Sequence, residues 1–318
     1  MKKLITFLLL CILALTFCFT GAAYAQGEEE LQLPNSGINP DSPFYFADIW
    51  GERIGLFFTF GEDAKVEKAL QYAEERLAEV DAMMVRNNAR ATIRAAGEYD
   101  GCLALATRHM ERATAEGIDT TETVALATEK HIRFFGNAAD NIPENAKGVV
   151  TQTRERAGNF QETALRTMAQ GDPVKAMRTN LMLMERQLNH IRVLAEEPET
   201  MRLQEEIQEY ERLGNLGEEI SQIARRLGKD TAVDQLVGQA TASQLQVLAK
   251  VHTQLQDQTQ AQGAIEDAMR VCVENHVRVA STLKENNMLG GITEEAPIPE
   301  ELPENVKQKL AAGGSGRK

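Results

Sequence analysis

The feature that most constrains the fold is a helical pattern near the middle of the chain, in residues 172–195. Its apolar residues recur at alternating steps of three and four, the spacing by which one helix packs against others. Asp172 stands at the N-cap position and Pro173 at the first helical position. The apolar positions are Val174, Met177, Leu181, Met184, Leu188, Ile191 and Ala195. The stretch therefore predicts one helix of a helical bundle.

The same kind of pattern fills most of the chain, whereas strand-like alternation is nearly absent. The composition favours helix formers and includes only 9 prolines and 5% aromatic residues. We therefore predict an all-α protein built of antiparallel long-helix hairpins or bundles. In the helix that begins near Asp63, the side expected to face solvent carries Glu74, Glu75, Arg76 and Glu79.

The two halves of the chain resemble each other at an offset of about 111 residues. The matched pairs include Leu77 with Leu188, Glu98-Tyr99 with Glu209-Tyr210, Gly117 with Gly228, and Asp119-Thr120 with Asp230-Thr231. This order predicts two related helical units in tandem, residues 63–171 and 172–285. The alternative is that any two heptad-patterned segments align this well through shared composition.

The first 25 residues have the pattern of a secretory signal peptide. Lys2 and Lys3 precede an apolar run, Leu4–Phe19, and a small-x-small motif ends at Ala25. The run is too short to favour a membrane-spanning helix. We therefore expect an extracytoplasmic protein, periplasmic, envelope-associated or secreted, with no transmembrane helix after cleavage near Ala25.

The segments that flank the helical units are predicted to be flexible. Residues 26–41 are acidic and then rich in turn residues, which is typical of a flexible leader. Residues 286–318 are rich in proline and glutamate and end in Gly, Ser, Arg and Lys, which predicts a mobile tail.

An aromatic segment, residues 42–62, separates the leader from the first unit and contains the only tryptophan. Our principal interpretation is an aromatic plug that docks on the helical body. The other is an anchor for a membrane or a partner, although Asp48 and Glu52 weaken the membrane version. The predicted interaction residues are Phe44, Tyr45, Phe46, Trp50, Ile54, Phe57 and Phe58.

The residues of this segment and of the helix after it also carry a resemblance to a known family. The motifs are Ser42-Pro43-Phe44-Tyr45-Phe46, Trp50-x-x-Arg53-Ile54, Leu56–Phe60, Ala73–Glu79, Ala127–His131 and Ile142–Lys147. They are similar to a family of secreted bacterial proteins that carry the domain of unknown function 5667, over roughly residues 42–165. The resemblance implies an exported helical protein and no catalytic residues.

Cysteine and histidine residues offer one metal-binding hypothesis. Cys272 and His276 are four residues apart, and Cys102 and His109 are seven apart, so each pair can share one side of a helix. The alternative is that they are satisfied core residues. Cys102 and Cys272 could form a disulfide in an oxidising compartment or remain two buried thiols. We predict no bound metal and no cofactor.

The remaining signals limit the classes of function. A net charge of −13 disfavours nucleic acid and anionic lipid as partners. No nucleophile elbow or phosphate loop is present, which argues against an enzyme. We expect a non-catalytic protein that acts through surface interaction with a protein or envelope component. The alternatives are a periplasmic chaperone that binds apolar clients in a groove lined by Met83, Met84, Met177, Met182, Met184 and Met269, and a Cys/His metal-binding protein.

Overall fold

The computed structural model describes residues 33–196, 200–255 and 259–314. Within these ranges the chain forms helices and turns but no strand, so the all-α prediction is confirmed. The helices are α1 (Tyr45–Phe57), α2 (Glu62–Val85), α3 (Ala89–Ala115), α4 (Thr121–Asn137), α5 (Lys147–Gly171), α6 (Pro173–Leu194), α7 (Thr200–Arg226), α8 (Asp230–Gln254), α9 (Thr259–Glu285) and α10 (Glu304–Gly314). The predicted signal peptide and the first part of the leader lie outside the described residues.

Helices α2 and α3 are joined by a short turn and have contacts at both ends. The end of α2 continues into α3 through a tight turn in which the Asn88 N–H donates to the Met83 carbonyl oxygen at 2.9 Å. At the other end of the pair, Nδ1 of His109 on α3 lies 2.7 Å from Oε2 of Glu62, the first residue of α2. Because contacts join both ends, the two helices lie side by side along their whole length.

Local sequence signals account for most helix boundaries. The Asp172 carboxylate accepts hydrogen bonds from the N–H groups of Val174 and Lys175, each at 3.1 Å, and Pro173 begins α6 as expected. Before α4, the Asp119 carboxylate accepts hydrogen bonds from the Thr121 N–H and hydroxyl groups. Pro143 precedes a 3-10 turn, Glu144–Ala146, and α5 begins at Lys147.

One helix of each half and the turn that follows it match in position and length. The bounds of α3, 89–115, and of α7, 200–226, differ by the same offset as the sequence repeat. Gly117 and Gly228 follow these helices with φ angles of +80° and +67°, a left-handed conformation that favours glycine. In both turns the residue after the glycine donates back to the helix, at 2.8 Å and 2.9 Å. These matches support the predicted repeat, while its origin by duplication stays a prediction.

A polar network joins the two halves where α5 packs on α7. Arg212 of α7 donates to the Gly158 carbonyl oxygen at 3.1 Å and to the Glu162 carboxylate at 2.9 Å. Arg154 of α5 pairs in return with Glu206 at 2.8 Å, and Glu206 is buried. Guanidinium groups suit such sites because their donors are fixed in a planar fork. The halves therefore form one continuous body rather than two separated domains.

Part of the predicted mobile tail, residues 286–318, packs on the body, which corrects the prediction for that part. Leu302, Val306 and Leu310 are spaced by four residues and bury their side chains against α9. Nε2 of His276 donates to the Thr293 carbonyl oxygen at 2.8 Å. The periodic apolar side of α10, hidden in an otherwise polar composition, is the physical reason for the packing.

None of the helices in the described ranges combines the length and the hydropathy needed to cross a bilayer.

Candidate functional site

Helix α1 is amphipathic, and its two faces have different chemistry. Tyr45, Asp48 and Glu52 recur at steps of three and four and so share one face. The opposite face carries the aromatic and aliphatic residues of the segment. The turn before the helix is set by Ser42, whose hydroxyl accepts from the Phe44 N–H at 3.2 Å. Helix α1 thus has a polar edge and an apolar edge.

The polar edge of α1 docks on a buried arginine of α2. Arg76 is only 1% exposed, and its guanidinium pairs with the carboxylates of Glu79 at 3.0 Å, Asp48 at 3.1 Å and Glu52. The prediction that Arg76 and Glu79 face solvent is therefore wrong. A buried guanidinium requires several acceptors, and the acidic edge of α1 supplies two of them.

Tyr45 lies at the centre of this cluster and is fully buried. Its hydroxyl donates to Oε2 of Glu79 at 2.6 Å and accepts from Nη1 of Arg76 at 2.8 Å. Both hydrogen-bonding capacities of the phenol are thus used. The guanidinium of Arg94 on α3 lies 4.4 Å from the centre of the Tyr45 ring, within the range of a cation–π interaction.

The end of the predicted leader is held by the same part of the body. Arg94 donates to the Pro40 carbonyl oxygen at 3.2 Å, and Arg86 pairs with Asp41 at 3.0 Å. The leader prediction is therefore corrected for these last residues, which are fixed next to α1.

Two of the three carboxyl groups that pair with Arg76 have raised pKa values, and burial is the main cause. Burial raises the pKa of Glu79 to about 8, although Tyr45 and Arg76 oppose the shift. Burial likewise raises the pKa of Glu52 to about 7, against the attraction of Arg76 and with the help of Asp48. Glu79 and Glu52 therefore take up protons near neutral pH, because the attraction of the Arg76 guanidinium does not offset the desolvation of these two carboxyl groups.

The apolar edge of α1 faces away from the body. Seven large apolar side chains of the segment are between 52% and 88% exposed: Phe44, Phe46, Trp50, Ile54, Phe57, Phe58 and Phe60. Only Tyr45, among the predicted interaction residues, docks on the body. The interpretation of the segment as an aromatic plug is thus wrong for the other six, because the acidic edge is turned inward by Arg76. Large exposed apolar surfaces of this kind mark interaction sites.

The candidate metal ligands are not brought together. Nδ1 of His109 contacts Glu62, and Sγ of Cys272 lies 3.2 Å from the Tyr210 hydroxyl oxygen. His276 bonds to a backbone carbonyl, as described above. In the part of the chain that the structure describes, no group of three or more His, Cys, Asp and Glu side chains could hold a metal ion.

Both Cys102 and Cys272 are buried free thiols rather than a disulfide. Burial raises the pKa of Cys102 to about 12 and that of Cys272 to about 11, so both stay protonated. His109, the other candidate ligand on α3, is buried as well.

The predicted methionine groove is not a surface feature. Five of its six residues are buried in the core: Met83, Met84, Met177, Met184 and Met269. Their spacing on the helical seams places them between helices, and Met182 alone is half-buried.

These observations define an all-α protein that carries an outward-facing aromatic helix on a buried ion-pair cluster. Residues 37–145 match the model of a family described as Domain of unknown function (DUF5667). The match runs from just before α1 to the second 3-10 turn and includes every residue of the Arg76 cluster. The resemblance to this domain is thereby confirmed over roughly a third of the chain. Neither the curated proteins nor the solved structures compared with the chain gave a match.

Proposed function

We propose that this protein is a non-catalytic interaction protein that presents helix α1 to a partner protein. The observation that carries the proposal is the exposure of the aromatic edge of α1 while its polar edge is fixed to the body. Residues that stabilise folding are normally buried, whereas these seven side chains are each more than half exposed. Their retention on one side of a rigid helix is explained by a contact outside the chain.

The spacing of the exposed residues fits recognition of a helix by a groove. Phe46, Trp50, Ile54 and Phe57 follow one another at steps of four, four and three, so they line one stripe of α1. An amphipathic helix that lays such a stripe into an apolar groove is a recurrent mode of protein recognition. Trp50 lies in the middle of the stripe, where large aromatic residues dominate binding energy.

A protein is favoured over nucleic acid or an anionic membrane as the partner. The chain has a net charge of −13, which repels phosphate-rich surfaces. The same charge favours a partner groove with a basic rim, because complementary charges speed association and suppress wrong partners.

The proposed place of action is outside the cytoplasm, in the periplasm, the envelope or the medium. The support for it is the sequence of residues 1–25, with its two lysines, apolar run and small-x-small motif. Secretion by a bacterium is proposed on the same sequence pattern together with the resemblance to the DUF5667 proteins.

The single tryptophan provides a direct test. A partner captured from envelope and culture fractions is purified and titrated into the full chain while Trp50 emission is recorded. Binding through α1 shifts the emission to shorter wavelength, because it buries an indole that is 65% exposed in the free chain. Phe57→Ser is expected to weaken binding by more than ten-fold, a hot-spot effect of about 2 kcal/mol.

The matched control is Val85→Ser, which changes an equally exposed apolar residue at the end of α2. It is expected to leave binding unchanged. If Phe57→Ser binds as tightly as the wild type, or if the emission of Trp50 does not move on binding, α1 is not the contact and the proposal fails.

The same exposed edge also favours a second candidate function, a chaperone for apolar clients. A holdase assay with a heat-aggregating client separates the two. Suppression of aggregation that is lost in Phe57→Ser supports the chaperone, whereas no suppression together with saturable binding to one partner supports the first proposal.

A further inference from the structure

Helix α1 has few features of its own that would keep it helical away from the body. It contains 13 residues, and isolated helices of about this length are marginal in water. Gly51 and Gly55 lie in its interior, where glycine is unfavourable, and its N-cap residue, Phe44, makes no side-chain cap hydrogen bond. Gly55 instead permits a close approach to α2, because a Cβ atom there would lie 2.6 Å from Oη of Tyr72. The helical form of α1 therefore depends on its contact with the body.

This contact removes two carboxyl groups from water. Glu79 on α2 is fully buried and accepts from the Tyr45 hydroxyl of α1, while the Glu52 side chain of α1 is only 12% exposed and pairs with Arg76. Two buried atoms of the cluster, Nε of Arg76 and Oε1 of Glu79, have no hydrogen-bond partner in the described part of the chain. Buried groups without such partners are destabilising. The contact is thus weaker than its number of ion pairs indicates.

Titratable and charged groups from three helices face Glu52 and Glu79. Burial raises the pKa values of Tyr45, of Tyr72 and, to about 12, of Cys102, so these three groups stay neutral below pH 9. The other groups around the pair are Asp48 and Arg53 on α1, Glu75 and Arg76 on α2, and Arg94, Glu98 and Arg108 on α3. Glu52 and Glu79 are the members of this cluster whose raised pKa values fall between pH 6 and pH 9.

The docked position of α1 favours the neutral form of both carboxyl groups. Burial raises the pKa of Glu79 to about 8 and that of Glu52 to about 7, from an ordinary value of 4.5. When α1 leaves the body, water reaches both groups and favours their charged forms. Docking of α1 therefore takes up protons, and the docked form becomes less stable as the pH rises through this range.

We propose that loss of the protons of Glu52 and Glu79 detaches α1 from the body and unwinds it, so that α1 is presented as a rigid helix at neutral and acidic pH but not in alkaline solution. The contacts of Arg94 with Pro40 and of Arg86 with Asp41 hold the chain before α1, and residues 58–61 join it to α2. The detached segment thus stays tethered at both ends. Its regulatory role rests on the proposed function, whereas the pH-dependent docking does not.

Hydrogen exchange of the α1 amides in the full chain measures docking without any partner. After correction for the intrinsic exchange rate, their protection is expected to fall about 90-fold between pH 6 and pH 9 through Glu79, and about ten-fold more through Glu52. The amides of α8 are expected to remain more protected than those of α1 at each pH, because detachment of α1 is a local opening.

The double variant Glu52→Gln with Glu79→Gln removes both titrating groups, and its α1 amides are expected to be equally protected at pH 6 and pH 9. The matched control is Glu67→Gln, which changes an exposed carboxyl of α2 and is expected to keep the wild-type fall. If circular dichroism shows that the double variant is unfolded, Glu52→Gln alone is expected to lose the ten-fold part. The proposal is overturned if wild-type protection is equal at the two pH values, or if removal of these carboxyl groups leaves the fall unchanged.

The regulatory role is tested by repeating the Trp50 titration with the captured partner at pH 6 and pH 9. The wild type is expected to bind more weakly at pH 9, because α1 must first fold and dock, and the double variant is expected to bind equally at both. Equal wild-type affinity at the two pH values overturns the regulatory role. An absence of Trp50-dependent binding at both values refutes the proposed function instead, while the exchange result still decides whether docking depends on pH.

Discussion

Replacing Arg76 with methionine tests whether the buried cluster holds α1 on the body. At a pH above the raised pKa of Glu79, about 8, the substitution keeps an unbranched side chain but leaves the ionised Glu79 carboxylate, which is fully buried, without its cation. Removing one partner of a buried ion pair typically costs about 3–5 kcal/mol, because the other charge stays buried and uncompensated. Asp48 and Glu52 reduce the loss towards the lower end of this range, because both remain partly accessible to water.

The expected loss is therefore about 3 kcal/mol in the free energy of unfolding, measured by urea denaturation with far-UV circular dichroism. Trp50 anisotropy, recorded in the same titration, reports release of α1 and is expected to fall at lower urea than the helical signal. Combining Arg76→Met with Glu79→Gln is expected to recover about half of the loss, because the amide keeps an acceptor for Tyr45 and carries no charge.

Arg86→Met is the matched control, since it makes the same change at the ion pair with Asp41, where both partners are substantially exposed. Its expected cost is about 0–1 kcal/mol. The reasoning is refuted if Arg76→Met and Arg86→Met cost the same, or if the double variant is less stable than Arg76→Met alone.

Three further predictions concern other parts of the chain. Because the folded state raises the pKa of Glu79 from 4.5 to about 8, it holds a proton that the unfolded chain has released; stability should decline as pH rises through this window. Urea midpoints over a pH series should show a smaller loss of stability with rising pH in Glu79→Gln than in the wild type. An equally steep loss in that variant would contradict the assignment of the raised pKa to Glu79. Gly117→Ala and Gly228→Ala should each cost about 1 kcal/mol in thermal unfolding, whereas Gly97→Ala, in a regular helix, should stabilise slightly. Leu302→Ala should cost about 2–5 kcal/mol in urea unfolding, while a loss near zero would mean that the segment does not pack in solution.

The sequence was sufficient for the features that depend on local chemistry. Asp172 and Pro173 define a helix start through groups within a few residues of one another, and Gly117 and Gly228 define helix ends through their own backbone preference. The all-α class follows from periodicity summed over many residues, where single errors cancel. These predictions did not depend on which helices pack against each other.

The orientation of α1 depends on long-range chemistry and was missed. Arg76 looked solvated because charged residues usually are, and its burial follows from acceptors located 24 and 28 residues earlier in the chain. One pattern in the sequence could have indicated this orientation. Tyr45, Asp48 and Glu52, the polar edge of α1, recur at helical spacing, as do the residues of the aromatic stripe. A pattern with two regular faces does not itself tell which face turns inward.

In α1, the side chains that hold the helix on the body differ from those that are exposed for contact with a partner. Because α1 is held along its polar edge, the residues on its outer stripe contribute little to the stability of the fold. Substitution of Phe46, Trp50 or Phe57 is therefore expected to change the choice of partner and to leave the fold intact. Substitution of Arg76 or Glu79, in contrast, is expected to weaken the fold whatever the partner.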